Sequence, residues 1–298
     1  MADVAFIGLG IMGAPMAANL VASGHRVRGF SRSAATRAAA ALTGVETVAS
    51  AAEAVDGAEV LITMLPDTPD VLGVLFGGDD AEGGVSHLLR DGALFIDMST
   101  IEPGASIAIA ERLATQGVAA LDAPVSGGEA GAVEGALSIM IGGEQHVVDR
   151  ALPLLQALGS TIVRVGPAGS GQSVKAANQL MVAGHLQMLA EALVFLRAQG
   201  VDLELALDVI GGGLAGSTVL QRKRRAFLEE DYTPGFRVEL HHKDLGIVQR
   251  TAREAGVALP ATALVAQLVQ ALVARGDGAL DHSALLALTT ELNGGGRR

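Results

Sequence analysis

Over its first half the chain alternates short apolar runs with alanine-rich stretches in which apolar residues recur at helical spacing. The runs are VAFIGL from Val4, RVRGF at 26–30, VLITML at 60–65, ALFIDMS at 93–99, VAALDAPV at 118–125 and LSIMIGG at 137–143. Strands that alternate with helices pair in parallel through crossover connections, so the pattern predicts a doubly wound sheet ending at about Val163. After the turn Gly166-Pro167-Ala168-Gly169 the pattern changes. Residues 170–199 contain no proline and keep helical spacing, which predicts one long helix between two domains. Further helices are predicted near 202–211, 214–230, 240–256 and 260–275, giving an all-α second domain. The expected domains are 1–163 and 164–298. GGDDAEGG at 77–84 reads as a mobile surface loop, and NGGGRR at 293–298 as a frayed tail.

Composition narrows the classes of function. With 298 residues, half of them hydrophobic, the chain can bury a large core. It has no cysteine, which excludes disulfides, thiolate metal sites and a cysteine nucleophile, and suits an intracellular, cytoplasmic setting. Asp3 precedes the first apolar run and glycines interrupt it, so the opening reads as mature fold rather than a secretory signal. No apolar run is expected to reach the roughly 18–20 residues that cross a membrane. A net charge of −11 repels nucleic acid and anionic membranes, so neither is an expected partner, and an anionic ligand must be captured locally. The basic cluster Arg222-Lys223-Arg224-Arg225 reads as a solvated helix face rather than a polyanion patch.

One such capture site stands at the start. Gly8, Leu9, Gly10, Ile11, Met12 and Gly13 form G-x-G-x-x-G between the first apolar run and an alanine-rich helix. The first glycine permits a tight turn, the second lets backbone approach a pyrophosphate, and the third lets helix and strand pack closely. The helix N-terminus then offers N–H groups and a positive dipole end to the phosphates. A dinucleotide is the expected ligand. About twenty residues on, where a carboxylate would accept a ribose 2′-hydroxyl, the chain has Phe30-Ser31-Arg32-Ser33. Ser31 and Arg32 suit a 2′-phosphate, which favours NADP(H); NAD(H) stays open if Arg32 only stacks on the adenine.

Two stretches could carry chemistry. Ser126, Gly127 and Gly128 follow the run VAALDAPV, where a hydroxyl and neighbouring N–H groups can hold a carboxylate. GPAGSGQSVKAANQL opens the long helix and spaces Lys175, Asn178 and Gln179 as i, i+3 and i+4, on one helix face. Of the seven histidines, His241 and His242 stand beside Lys243-Asp244 at a predicted helix start, with His241 the better candidate for a functional role. No metal site or hydrolytic triad pattern is present in the sequence.

Together GLGIMGAPMAANL, Leu65-Pro66, DMSTIEP, DAPVSGGEAGAVEGALSIMIGG, the GxGxxxK ending at Lys175 and KDL at 243–245 resemble the β-hydroxyacid dehydrogenase family over essentially the whole chain. The resemblance implies an α/β Rossmann-type N-terminal domain plus an all-α C-terminal domain joined by a long helix, assembled as a homodimer or homotetramer. It implies Lys175 as general acid/base and Ser126, Gly127 and Gly128 as the holders of the substrate carboxylate; Asn178, with Gln179 as the alternative amide donor, and His241 are further candidate substrate-binding residues. It also implies Leu65, Pro66, Thr100 and Lys243 as cofactor contacts. Relatives often carry Asn four residues after the lysine; here that position is Gln179, and Asn178 stands one residue earlier. GGLAGSTVL at 212–220, PGFRVELHHKDL at 234–245 and DHSAL at 281–285 are most similar to the branch that reduces tartronate semialdehyde. The small substrate is then an aldehyde acid. Alternatives are the family's neighbouring activities on 3-hydroxyisobutyrate, succinic semialdehyde or glyoxylate, and a non-catalytic dinucleotide sensor.

Overall fold

The computed structural model describes residues 1–78 and 83–295. Residues 79–82 of the expected loop and 296–298 of the expected tail lie outside the described residues. The chain divides into two compact units, Met1–Lys175 and Ala176–Arg298.

In the first unit the order is β1 (Asp3–Ile7), α1 (Gly13–Ala22), β2 (Arg26–Phe30), α2 (Ala34–Ala41), β3 (Glu46–Thr47), α3 (Ala51–Val55), β4 (Val60–Thr63), α4 (Thr68–Phe76), β5 (Leu94–Asp97), α5 (Pro103–Ala114) and β6 (Ala119–Asp122). There follow β7 (Val125–Ser126), α6 (Gly128–Val133), β8 (Leu137–Gly142), α7 (Gln145–Leu155), β9 (Gly159–Gly166) and the start of α8 (Ser170–Ala198). The sheet runs β3-β2-β1-β4-β5-β6-β8-β7, with β9 paired to β8. From β3 through β6 every pairing is parallel, as the alternation predicts. Beyond β6 the sheet is mixed. β8 runs antiparallel to β6 and β7, and parallel to β9. Two-residue β7 lies in the run read as one strand, and β9, largely exposed on both faces, carries too little hydrophobic contrast to stand out in the sequence.

Side chains on alternate positions of a strand face opposite sides. Val4, Phe6, Ile62 and Ile96 point to one side, where they meet Met16, Ala17 and Leu20 of α1 and Val147, Ala151 and Leu155 of α7. Ala5, Ile7, Leu61 and Phe95 point to the other, against α3, α4 and α5. This two-sided burial is the doubly wound arrangement. The helices start where polar side chains satisfy backbone N–H groups: Ser33, Ser50 and Asp67 cap α2, α3 and α4.

In the second unit the rest of α8 is followed by α9 (Leu203–Gly212), α10 (Thr218–Glu229), α11 (Val238–Glu254), α12 (Pro260–Ala274) and α13 (Leu285–Leu292). Only α13 was absent from the expected helices. Its core gathers Leu186, Leu193, Leu207, Phe227, Val238, Leu245, Val265 and Leu285. One sequence expectation fails here: α8 is long and apolar enough to cross a membrane by length and composition. It has no charged residue from Ala176 to Ala190. Its Ala183, Leu186, Ala190 and Leu193 are buried in the unit's own core.

The basic cluster also departs from a solvated face. Lys223 turns inward, its Nζ 2.8 and 2.7 Å from the two oxygens of buried Asp281. Arg224 pairs with Asp208 and Arg225 with Glu229. Asp281 also accepts N–H groups from Gly235, Phe236 and Ser283, so this one carboxylate ties α10 to the turns before α11 and α13. Removing one partner of a buried pair strands the other charge. Lys223→Met should therefore lower unfolding stability by about 3 kcal/mol, the remaining N–H donors keeping the loss at the lower end of the range for buried pairs. Urea titration checks this, and a loss under about 1 kcal/mol would place the pair with weak surface bridges.

Candidate active site

The reversal of strand order between β1 and β4 places the turns after these strands side by side at their carboxyl ends, the usual ligand position in such sheets. Gly8 has φ +106°, and a Cβ there would lie 2.2 Å from the Met64 carbonyl oxygen. A Cβ on Gly13 would lie 1.8 Å from the Gly8 carbonyl oxygen. Glycine is required at both. At Gly10 nothing lies within 4 Å of that position, so the backbone is open to a ligand. Helix α1 begins here with no side-chain cap and no acidic residue in its first turn. Leu9 is buried under the turn and Ile11 is exposed above it. A loop this tight, with its open side at the second glycine and an uncapped helix behind it, fits a dinucleotide pyrophosphate.

At the end of β2 the Arg32 side chain is 86% exposed, with Asp70 Oδ1 3.6 Å away. The Ser33 hydroxyl accepts the Thr36 N–H as the α2 cap. Arg37, which the sequence reading passed over, donates to the Ser31 and Arg32 carbonyls and stands over the Phe30 ring at 5.8 Å. Its position one turn into α2 was the available signal.

Buried polar groups join the ends of β4, β5 and β6. The Leu65 N–H donates to Ser99 Oγ at 2.9 Å, which fixes the turn bearing Leu65 and Pro66. Asp97 Oδ1 accepts the Thr63 hydroxyl at 2.8 Å and the Ser99 N–H at 3.0 Å. Asp97 Oδ2 and Ser106 Oγ are buried without a hydrogen-bond partner among the described residues, and Asp97 and Ser106 line one small cavity. Asp122, in register with Asp97 on the next strand, accepts the Gly169 and Gln172 N–H groups at 2.8 and 2.9 Å. Thr100 lies between Ser99 and Ile101 on the turn after β5. Ser126 ends β7 in register with Ser138, and Gly127 and Gly128 follow with φ +143° and +63°. Lys175 stands on α8, 7% exposed.

In the helical unit, Asn178 Nδ2 donates to Gln179 Oε1 at 3.0 Å, and Gln179 Nε2 donates to Asp244. Asp244 Oδ1 is 2.8 Å from Lys243 Nζ. His241 is fully buried, with Nε2 3.3 Å from the Gln179 carbonyl oxygen and Nδ1 3.1 Å from Nδ1 of His282. Burial first, then the neighbouring His241, holds His282 well below the ordinary histidine range. His241 and the Gln179 carboxamide thus belong to one buried polar chain, along with Asp244, which the sequence reading quoted in KDL but gave no role.

The fold and the glycine corner define a dinucleotide-binding oxidoreductase. Residues 3–166 match the NAD binding domain of 6-phosphogluconate dehydrogenase, and residues 169–289 match the family described as NAD-binding of NADP-dependent 3-hydroxyisobutyrate dehydrogenase. The chain belongs to the β-hydroxyacid dehydrogenase family and is an NAD(P)-dependent oxidoreductase acting on CH–OH groups. It is 39% identical over 281 residues to the 2-hydroxy-3-oxopropionate reductase of Escherichia coli, covering 94% of each chain. It is 37% identical over 287 residues to the 3-sulfolactaldehyde reductase of the same organism, covering 96% of this chain and 95% of that one. Among solved structures it resembles a Mycobacterium tuberculosis 3-hydroxyisobutyrate dehydrogenase with L-serine, at 35% identity and TM-score 0.85, over 96% of this chain and 98% of that one.

Burial pushes the Asp97 carboxyl up to about 6; hydrogen bonds from Ser99 and Thr63 oppose the rise, and nearby Asp122 adds to it. Its folded value exceeds the unfolded one, so the folded state holds the extra proton between about pH 4 and 6. Stability is therefore lost as pH rises through that window, by up to about 3 kcal/mol in this carboxyl's contribution. Asp97→Asn keeps the acceptor oxygen and cannot ionise. Its stability relative to the unsubstituted protein should climb from pH 4 to pH 6 and level off above; parallel stability curves across that range would show that the carboxyl does not titrate there.

Proposed function

We propose that the protein is an NADPH-linked reductase of tartronate semialdehyde (2-hydroxy-3-oxopropanoate), giving D-glycerate. The single observation that carries this reading is the buried Lys175 on α8, in a chain 39% identical to a 2-hydroxy-3-oxopropionate reductase along nearly its whole length. The dinucleotide, when bound, supplies hydride to the aldehyde carbon. Lys175 gives a proton to the alkoxide oxygen, and takes it back in the reverse direction. Ser126 and the N–H groups of Gly127 and Gly128 hold the substrate carboxylate, and Asn178 orients the rest of the molecule; His241, expected from the sequence to touch substrate, is fully buried with both ring nitrogens engaged and acts only through the Gln179 backbone. Gly8 to Gly13 hold the pyrophosphate; Leu65, Pro66, Thr100 and Lys243 contact the cofactor.

Ser31 and Arg32 at the end of β2 hold the 2′-phosphate, a role supported by the absence of a carboxylate from Phe30 to Ser33 and by the exposure of Arg32. A cytoplasmic homodimer or homotetramer is part of the proposal. Met181, Met188 and Phe195 are exposed at seven-residue intervals along α8, a spacing that suits a helix partner from a second copy. The likeness to a 3-sulfolactaldehyde reductase supports a second reading, in which the same lysine reduces a differently substituted aldehyde acid.

Initial rates with NADPH and NADH against tartronate semialdehyde, 3-sulfolactaldehyde, succinic semialdehyde, methylmalonate semialdehyde and glyoxylate separate these readings. The NADPH rate with tartronate semialdehyde should dominate, and a larger rate with another aldehyde acid would move the assignment to that substrate. Lys175→Ala should cut kcat by about 10² to 10⁴ with NADPH affinity nearly unchanged. Wild-type turnover in that variant would remove the lysine from the chemistry. Arg32→Ala should raise KM for NADPH about 10- to 100-fold, the usual worth of a charged hydrogen bond, and leave that for NADH alone; equal changes would assign Arg32 to the shared adenosine.

A further inference from the structure

Gln172 is 1% exposed, one turn before Lys175 on the same face of α8. Its carboxamide makes two bonds to one turn: Nε2 donates to the Ser99 carbonyl at 2.8 Å, and Oε1 accepts the Ile101 N–H at 3.1 Å. That pairing admits one orientation, since a flipped amide would set donor against donor and acceptor against acceptor. The residue between the two partners is Thr100. Ser99 reaches onward to the Leu65 N–H, and the Gln172 backbone N–H is held by Asp122. A single side chain therefore sets the turns after β4 and β5 against the first turn of α8.

We propose that Gln172 is a positioning residue for the reduction, fixing Lys175 relative to the cofactor-facing turns at Leu65 and Thr100. This rests on Lys175 being the proton donor. Distance is what the bonds supply. A misplacement of about 1 Å at a reacting group can cost about 10²-fold in rate, and the two Gln172 bonds tie the Ser99–Ile101 turn to this helix. A purely structural glutamine would lower stability without acting through Lys175.

The test is a four-way cycle of the unsubstituted protein, Gln172→Met, Lys175→Ala and the double variant, using NADPH and the best of the aldehyde acids. Hydrogen exchange of segments 99–101 and 169–173 is measured in the full chain alongside. Gln172→Met should lower kcat about 10- to 100-fold with KM within about threefold, and speed exchange in both segments. In the Lys175→Ala background the same substitution should cost less than about threefold. An equal loss in both backgrounds, or unchanged exchange, overturns the proposal.

Gln172→Glu guards against misfolding of the methionine variant. Its protonated carboxyl can still donate to Ser99 and accept from Ile101, whereas its ionised form faces the Ser99 carbonyl and Asp122. Its rate relative to the unsubstituted protein at the same pH should rise as pH falls, and a flat ratio again overturns the proposal. Failure of the underlying reading shows separately, as undiminished turnover of Lys175→Ala with Gln172 intact.

Discussion

The carboxylate of Asp122 at the start of α8 is the constraint on which the first unit's site depends. It accepts two N–H groups of that helix start, from Gly169 and Gln172. A buried carboxylate is costly, and burial does raise its pKa, with the Gly169 and Gln172 N–H bonds pulling the other way. Charge-assisted bonds and the positive end of a 29-residue helix compensate it. The surroundings are cut to fit. A Cβ on Gly142 would sit 2.3 Å from Asp122 Oδ1, and one on Gly171 would sit 2.4 Å from the Met140 carbonyl oxygen. Glycine at both positions follows from how closely β8 and α8 approach this one acid.

Once α8 is anchored, the rest of the polar chain falls into order. Asp97 occupies the same register on β5 that Asp122 occupies on β6. One carboxylate organises the turn after its strand through Thr63 and Ser99; the other organises the helix, and Gln172 joins the two. Burial above all, with a smaller contribution from Asp122, favours the neutral form of Asp97. A buried, hydrogen-bonded polar core of this kind positions neighbouring groups more sharply than exposed loops could.

What was legible in the sequence was what local sterics dictate. The G-x-G-x-x-G turn, the parallel strands and the proline-free helix each follow from residues near one another in the chain, and they appear where expected. Partners far apart were not legible. Gln172 meets Ile101 across 71 residues, Lys223 meets Asp281 across 58, and His241 meets His282 across 41. Each looked like an ordinary helix or turn residue until folding supplied its partner. Strand β9 was missed for a different reason: an exposed edge carries little hydrophobic signal. The placement of Lys175, Ser126 and the glycines on the predicted elements was legible, whereas the groups that hold those elements in register were not.

The acidic character of the chain sharpens the problem that the glycine corner solves. At −11 the global field opposes a polyphosphate, but charges beyond about 8 Å are largely screened at physiological salt. What counts is the local arrangement. The first turn of α1 has no acidic side chain to offset its dipole, and the corner at β2 presents a guanidinium whose carboxylate neighbour, Asp70, stands at 3.6 Å in a solvated setting. A pair that loose gives up little on parting, because an exposed ion pair is worth only about 0–1 kcal/mol. Asp70 therefore restrains the Arg32 guanidinium at small energetic cost.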